Sequence, residues 1–210
     1  MALTNAAKSG ALIFVGAVQF GILLIVSEIL YSADGINPSA AAPGYAYSVS
    51  ANYVSDLGAT CSAGTCYIPP SWWVFDMSIA FLGITILAGS YFLHREYRWS
   101  PATAMITLTG IGALGVGLFP ETTGIWHGFF SLIVFLFAGL SAIVTYRFQS
   151  APMSLFSIML GALTLAALLL YIPGVYLGLG PGGMERMIVY PVLLWGIGFG
   201  AHLMAKEART

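Results

Sequence analysis

ALIFVGAVQFGILLIVSEILY, residues 11–31, decides the fold. Its strongly polar side chains are Gln19, near the middle, and Glu28, near the end. At about 1.5 Å of rise per residue a helix of this length spans roughly the 30 Å hydrocarbon core of a bilayer. Such a helix satisfies its own backbone hydrogen bonds and offers lipid only side chains.

Working outward, residues 72–93, 102–119, 124–146, 153–172 and 187–205 have the same character. Of 210 residues 59% are hydrophobic and 7% charged, against about 25% charged in a soluble domain. Too few charges remain to cover a water-facing surface. The chain is therefore expected to be all-α, a polytopic membrane protein built as a six-transmembrane-helix bundle, with residues 1–210 as a single transmembrane domain. The stretch before the first span carries one basic residue, Lys8, and that span is expected to be a retained anchor.

Lys8, Arg95, Arg98, Arg147, Lys206 and Arg209 fall on one side of this arrangement and Arg186 on the other. The positive-inside bias then predicts cytoplasmic termini in a cell-membrane protein, with residues 32–71 as a long extracytoplasmic loop. No basic run suits nucleic acid. The expected partners are membrane lipids, with a membrane-protein partner or a homo-oligomer as further possibilities. Trp72, Trp73, Trp99, Trp126 and Trp195 mostly mark span ends, as an interfacial belt does.

Cys61 and Cys66, in CSAGTC, lie in the predicted outer loop, where an oxidising compartment favours a disulfide. Metal binding is the alternative, although a structural zinc site needs four ligands. Clustered glycines, among them Gly124, Gly128, Gly196 and Gly200, predict close helix packing.

The polar residues are unevenly placed. Asp34, Asp56, Asp76, Glu121 and Glu185 all fall at or above the outer ends of the spans, together with Arg186. Helical spacing puts His127 on a face with Gly124, Gly128, Ser131 and Gly139, and Asp76 on a face with Ala80 and Gly83. Both side chains should point into the bundle, as should Glu185. Buried groups of this kind need partners, whether each other, Arg186, water or a metal.

His127, Glu121 and Asp76 are thus the candidate catalytic acid, base or metal-ligand residues. Arg186, Glu185, Asp56, Ser55 and Ser131 are the candidate ligand-binding residues, with Arg186 suited to an anionic group. Ser55 and Asp56 could alternatively cap a short helix. A Ser55, His127 and Asp56 triad would lack the glycine-flanked elbow that exposes a serine nucleophile. The cluster could equally be a hydrogen-bonded lid that ties the helix ends together.

No haem is expected within one chain, because His127 and His202 are separated in depth by roughly 15–20 Å of helical rise. Which metal or other cofactor, if any, is used is not readable. Carboxylates near the bilayer midplane, common in ion-coupled transporters, are missing. The expected function is an outward-facing polar site that binds or hydrolyses a lipid headgroup or small polar ligand. The alternative is a non-catalytic subunit of a membrane complex.

At NYVSDLG, GVGLFPETTGIWH and GGMERMIVYPVLLWGIGFG the chain resembles the prokaryotic membrane family DUF998, a domain of unknown function, nearly end to end. The resemblance implies about six spans and marks Ser55, Asp56, Gly58, Phe119, Pro120, Glu121, His127, Glu185 and Arg186. It implies no activity, and at Asp76 family members often carry asparagine. A looser similarity to membrane hydrolases related to alkaline ceramidases would imply zinc on three histidines. Here His127 alone reaches the site, so Asp56, Asp76, Glu121 or Glu185 would have to complete a ligand set.

Overall fold

Six helices long and apolar enough to cross a membrane account for most of the computed structural model. It describes residues 3–33, 47–62, 65, 66, 70–98 and 100–207, with the side chains of 32, 33, 61, 62, 65, 66, 206 and 207 excluded. The helices are α1 (Asn5–Ala33), α2 (Pro70–Tyr97), α3 (Pro101–Leu118), α4 (Ile125–Val144), α5 (Met153–Tyr171) and α6 (Gly180–Glu207). Short 3-10 turns at Ser55–Gly58, Glu121–Thr123 and Thr145–Phe148 complete the helical elements. Between α1 and α2 the strands β1 (Cys61–Ser62) and β2 (Thr65–Cys66) pair antiparallel, with Cys61 opposite Cys66. The two thiols themselves lie outside the described residues.

Each helix packs on its neighbours in sequence, and α6 closes the ring on α1. Closure demands close approach of two backbones. Gly10 and Gly200 supply it, since a Cβ on either would stand 2.6 Å from the carbonyl oxygen of the other. Small residues permit such contacts where lipid offers helices no hydrophobic drive to associate.

Polarity is sorted as a membrane requires. Ile25, Ile29, Ile84, Ile125, Met159 and Leu169 face outward, while Ser9, Ser78, Thr85, Thr109, Ser141 and Thr164 are buried. Several of these hydroxyls bond a carbonyl of their own helix, such as Thr85 to Leu82 and Thr109 to Met105. Mid-span Gln19 donates to the carbonyls of Gly16 and Ser78, tying α1 to α2. Trp195 departs from the belt pattern: it is buried, stacks on Phe199 and donates its indole N–H to Thr145.

The sixth helix begins at Gly180 instead of near 187. GLGPGG has the composition of a loop, because glycine and proline weaken helices. Here Gly180 takes a φ of 75°, and Pro181 occupies the first turn, where no N–H is needed. A Cβ at Gly182 would collide with the carbonyl of Asn52. The glycines therefore admit the segment from residue 47 to 60 against the start of α6, and that segment builds the polar end of the bundle.

Candidate functional site

Two adjacent residues of α6 hold this segment by groups of opposite polarity. Glu185 accepts the backbone N–H of Val54. Arg186 donates through Nη1 to the carbonyls of Val49 at 3.0 Å, Asn52 at 3.0 Å and Gly182 at 2.9 Å. Its Nη2 donates to Glu28 at 2.9 Å and to the Tyr47 hydroxyl, whose ring lies beneath the guanidinium. Burial holds that hydroxyl well above the usual tyrosine range, against the opposing effect of Arg186. The Gly182 N–H adds a bond to Ser50. Neighbouring helix positions point about 100° apart, so Arg186 turns toward α1 while Glu185 turns toward the ring centre.

Within the segment, Asp56 accepts from the Asn52 side chain at 2.8 Å and from the Tyr53 N–H at 3.1 Å. This is a local cap, made possible by an acceptor three and four residues from its donors. It fixes the turn Ser55–Gly58, seats Leu57 fully inside the core and leaves Ser55 facing the bundle interior.

Opposite it, the FPETTG stretch folds back between α3 and α4. Gly124, with a φ of 64°, redirects the chain from the turn Glu121–Thr123 into α4. The reversal brings the Phe119 carbonyl 2.8 Å from His127 Nδ1. A carbonyl can only accept, so Nδ1 carries the proton. In the neutral ring Nε2 is then an acceptor. Among the described residues Nε2 has no protein partner, although His127 is 7% exposed.

That nitrogen belongs to a chamber of about 480 Å³ lined by Tyr53, Ser55, Glu121, His127, Ser131, Tyr171 and Glu185, with apolar walls from Leu132, Phe135, Leu168 and Ile172. The chamber lies between the ends of α4 and α5. Gly128 lines it, and a Cβ there would touch nothing within 4 Å. Gly124 is equally open, so neither glycine serves the close packing expected of it. Glu121 stands against Asp56. Burial first, then the charges of Asp56 and Glu185, push its carboxyl up to about 8. Burial and the neighbouring Tyr176 hydroxyl raise Tyr53 as well.

Beneath the chamber runs a narrower apolar slot of about 90 Å³ along the ring centre. Ser55, His127, Ser131, Phe135 and Glu185 line both spaces. From Glu185 to Gly196, from His127 to Ala138 and from Phe75 to Ile86, the slot follows three helices for about 16 Å of rise. The polar chamber thus continues into an apolar cleft.

Five of the candidate site residues, Ser55, Glu121, His127, Ser131 and Glu185, therefore meet around one space. Asp56 stands behind Glu121. Asp76 is fully buried on α2 but outside the chamber, because the turn at Gly58 covers it: a Cβ at Gly58 would lie 2.5 Å from its carboxyl oxygen. Neither Asp76 oxygen has a hydrogen-bond partner among the described residues. Arg186 faces away and is engaged by the 47–60 segment. Sequence reasoning passed over Glu28, Tyr47 and Asn52. Charge balance could have found the first, since Glu28 shares its end of the spans with Arg186, the sole basic residue there.

Among the described residues no three histidine, cysteine, aspartate or glutamate side chains are grouped to hold a metal ion. The model of the family described as protein of unknown function (DUF998) matches residues 25–202, so the chain belongs to the DUF998 family. It is an integral membrane protein of six apolar helices. No curated protein and no solved structure matches it.

Proposed function

We propose that this protein binds a membrane amphiphile, with the polar head in the chamber at His127 and the apolar part against the slot and the α4–α5 opening. The observation that carries the proposal is the shared lining. The same five residues, Ser55, His127, Ser131, Phe135 and Glu185, border a polar space and an apolar one. Ligand sites are typically apolar cavities with a few convergent polar groups, and few other ligands would meet both halves. His127 Nε2, oriented by the Phe119 carbonyl, stands where a general base would stand if the head is also hydrolysed. The positive-inside bias supports an extracytoplasmic chamber. There a Cys61–Cys66 disulfide would close the hairpin whose backbone already sets the two residues opposite each other.

Native mass spectrometry of the purified protein tests the binding. A lipid-sized adduct of unit stoichiometry is expected, and Ser131→Phe, which fills the junction of the two spaces, should remove it while leaving the melting temperature near wild type. An adduct indifferent to Ser131→Phe, or none at all, would overturn the proposal.

A further inference from the structure

The chamber offers three acceptors that no protein donor fills among the described residues. His127 offers Nε2, Glu185 has one carboxyl oxygen beyond the one that takes the Val54 N–H, and the Glu121 Oε2 is buried without a partner. Ser55 and Ser131 add hydroxyls that no protein group engages among the described residues. No lysine or arginine lines either space. The basic residue at this end, Arg186, has both terminal nitrogens engaged elsewhere.

An anionic head would therefore meet carboxyl groups and a lone pair, with no lysine or arginine to balance its charge. Phosphate recognition rests on arginine forks, lysines or helix N-termini aimed at the anion. Gly124, at the N-terminus of α4, does line this chamber, but the carboxyl groups of Glu121 and Glu185 stand with it and no basic side chain joins it among the described residues. Its walls also include the rings of Tyr53 and Tyr171, set edge to face with centroids 6.1 Å apart, and of Phe135. Aromatic faces beside carboxyl groups are the surroundings in which ammonium ions are held by cation–π attraction.

We infer that the head group taken by the chamber is an ammonium, held by Glu121, Glu185 and His127 Nε2 against the Tyr53 and Tyr171 rings. This rests on the amphiphile proposal above and specifies its ligand class. A primary ammonium would donate to Nε2 and the carboxyl oxygens, while a methylated one would rely on charge and on the rings.

Matched single-chain probes separate the two levels of the argument. Dodecyltrimethylammonium, dodecyl phosphate and dodecyl maltoside are titrated below their micellar concentrations into the protein in digitonin, with binding read by calorimetry. The ammonium probe should bind saturably and at least about tenfold more tightly than the phosphate, a difference of ~1.4 kcal/mol. Ser131→Phe should abolish that binding. At about pH 9, where Glu121 has given up its proton, Glu185→Gln, which keeps an oxygen for the Val54 N–H, and Glu121→Gln should each weaken the ammonium probe about tenfold or more and leave the maltoside unchanged. If the phosphate or the maltoside binds as well as the ammonium and Ser131→Phe still blocks it, the ammonium inference is overturned and the amphiphile site stands. If no probe responds to Ser131→Phe, both fall.

Discussion

Glu185 and Arg186 are consecutive residues with opposite surroundings, and the contrast separates architecture from site. On the Arg186 side, both terminal nitrogens of the guanidinium are engaged, by three carbonyls, a carboxylate and a phenol. Apart from the Gly182 carbonyl of its own helix, its acceptors come from a segment far away in sequence and from α1, so the residue works as a clasp. On the Glu185 side, a chamber of about 480 Å³ keeps His127 Nε2 and two serine hydroxyls without protein partners among the described residues. Burying polar groups without partners costs stability. Groups left open around a cavity are those a ligand can satisfy.

The largest expected effect falls on the clasp. Arg186→Ala should cost ~3–5 kcal/mol, because Glu28 loses its ion-pair partner and several carbonyls lose their donor. Chemical denaturation or a thermal melt in detergent measures this. In a double-mutant cycle, adding Glu28→Ala to Arg186→Ala should cost much less than Glu28→Ala alone. Full additivity would remove the clasp from the comparison.

On the chamber side, His127→Ala should cost about 1 kcal/mol, the worth of its bond to the Phe119 carbonyl, while abolishing amphiphile binding. A stability loss as large as that of Arg186→Ala would place His127 with the architecture. Asp76 sharpens the contrast from a third direction, being buried outside the chamber with no hydrogen-bond partner for its carboxyl among the described residues. Asp76→Asn should change stability by less than about 1 kcal/mol, since no partner is lost, and it should leave binding intact. A melt combined with the calorimetric titration checks both outcomes.

The smallest effect is one of pH. Glu121 has its carboxyl raised from 4.5 to about 8. Between these values the folded state keeps a proton that the unfolded chain has released. Its contribution to stability is therefore complete below about 4.5 and is lost as pH rises toward about 8. Glu121→Gln should flatten the fall in melting temperature across that window. An unchanged slope would mean that burial and the charges of Asp56 and Glu185 do not hold the proton on Glu121.

Much of the fold was legible in the chain itself. Six apolar stretches of bilayer length leave a helix few alternatives, because lipid supplies no partners for an unsatisfied backbone. The inward direction of His127, Asp76 and Glu185 followed from the same helical period. The start of α6 was obscured, because GLGPGG is loop-like as composition and helical only with Gly182 beneath Asn52. Helical face and depth together group Asp76 with His127, and depth groups Arg186 with it, but neither shows which groups a covering loop separates.

By itself, then, the sequence determined the spans and the concentration of polar groups at one end, both consequences of hydrophobicity and a fixed 3.6-residue period. Tertiary structure decided which polar groups are satisfied. Arg186 reaches Glu28 and Tyr47 across 158 and 139 residues. No local pattern encodes contacts at such separations, because they exist only after the ring has closed and the 47–60 segment has settled on α6. The same closure brought His127 to one chamber with Glu121 and Glu185.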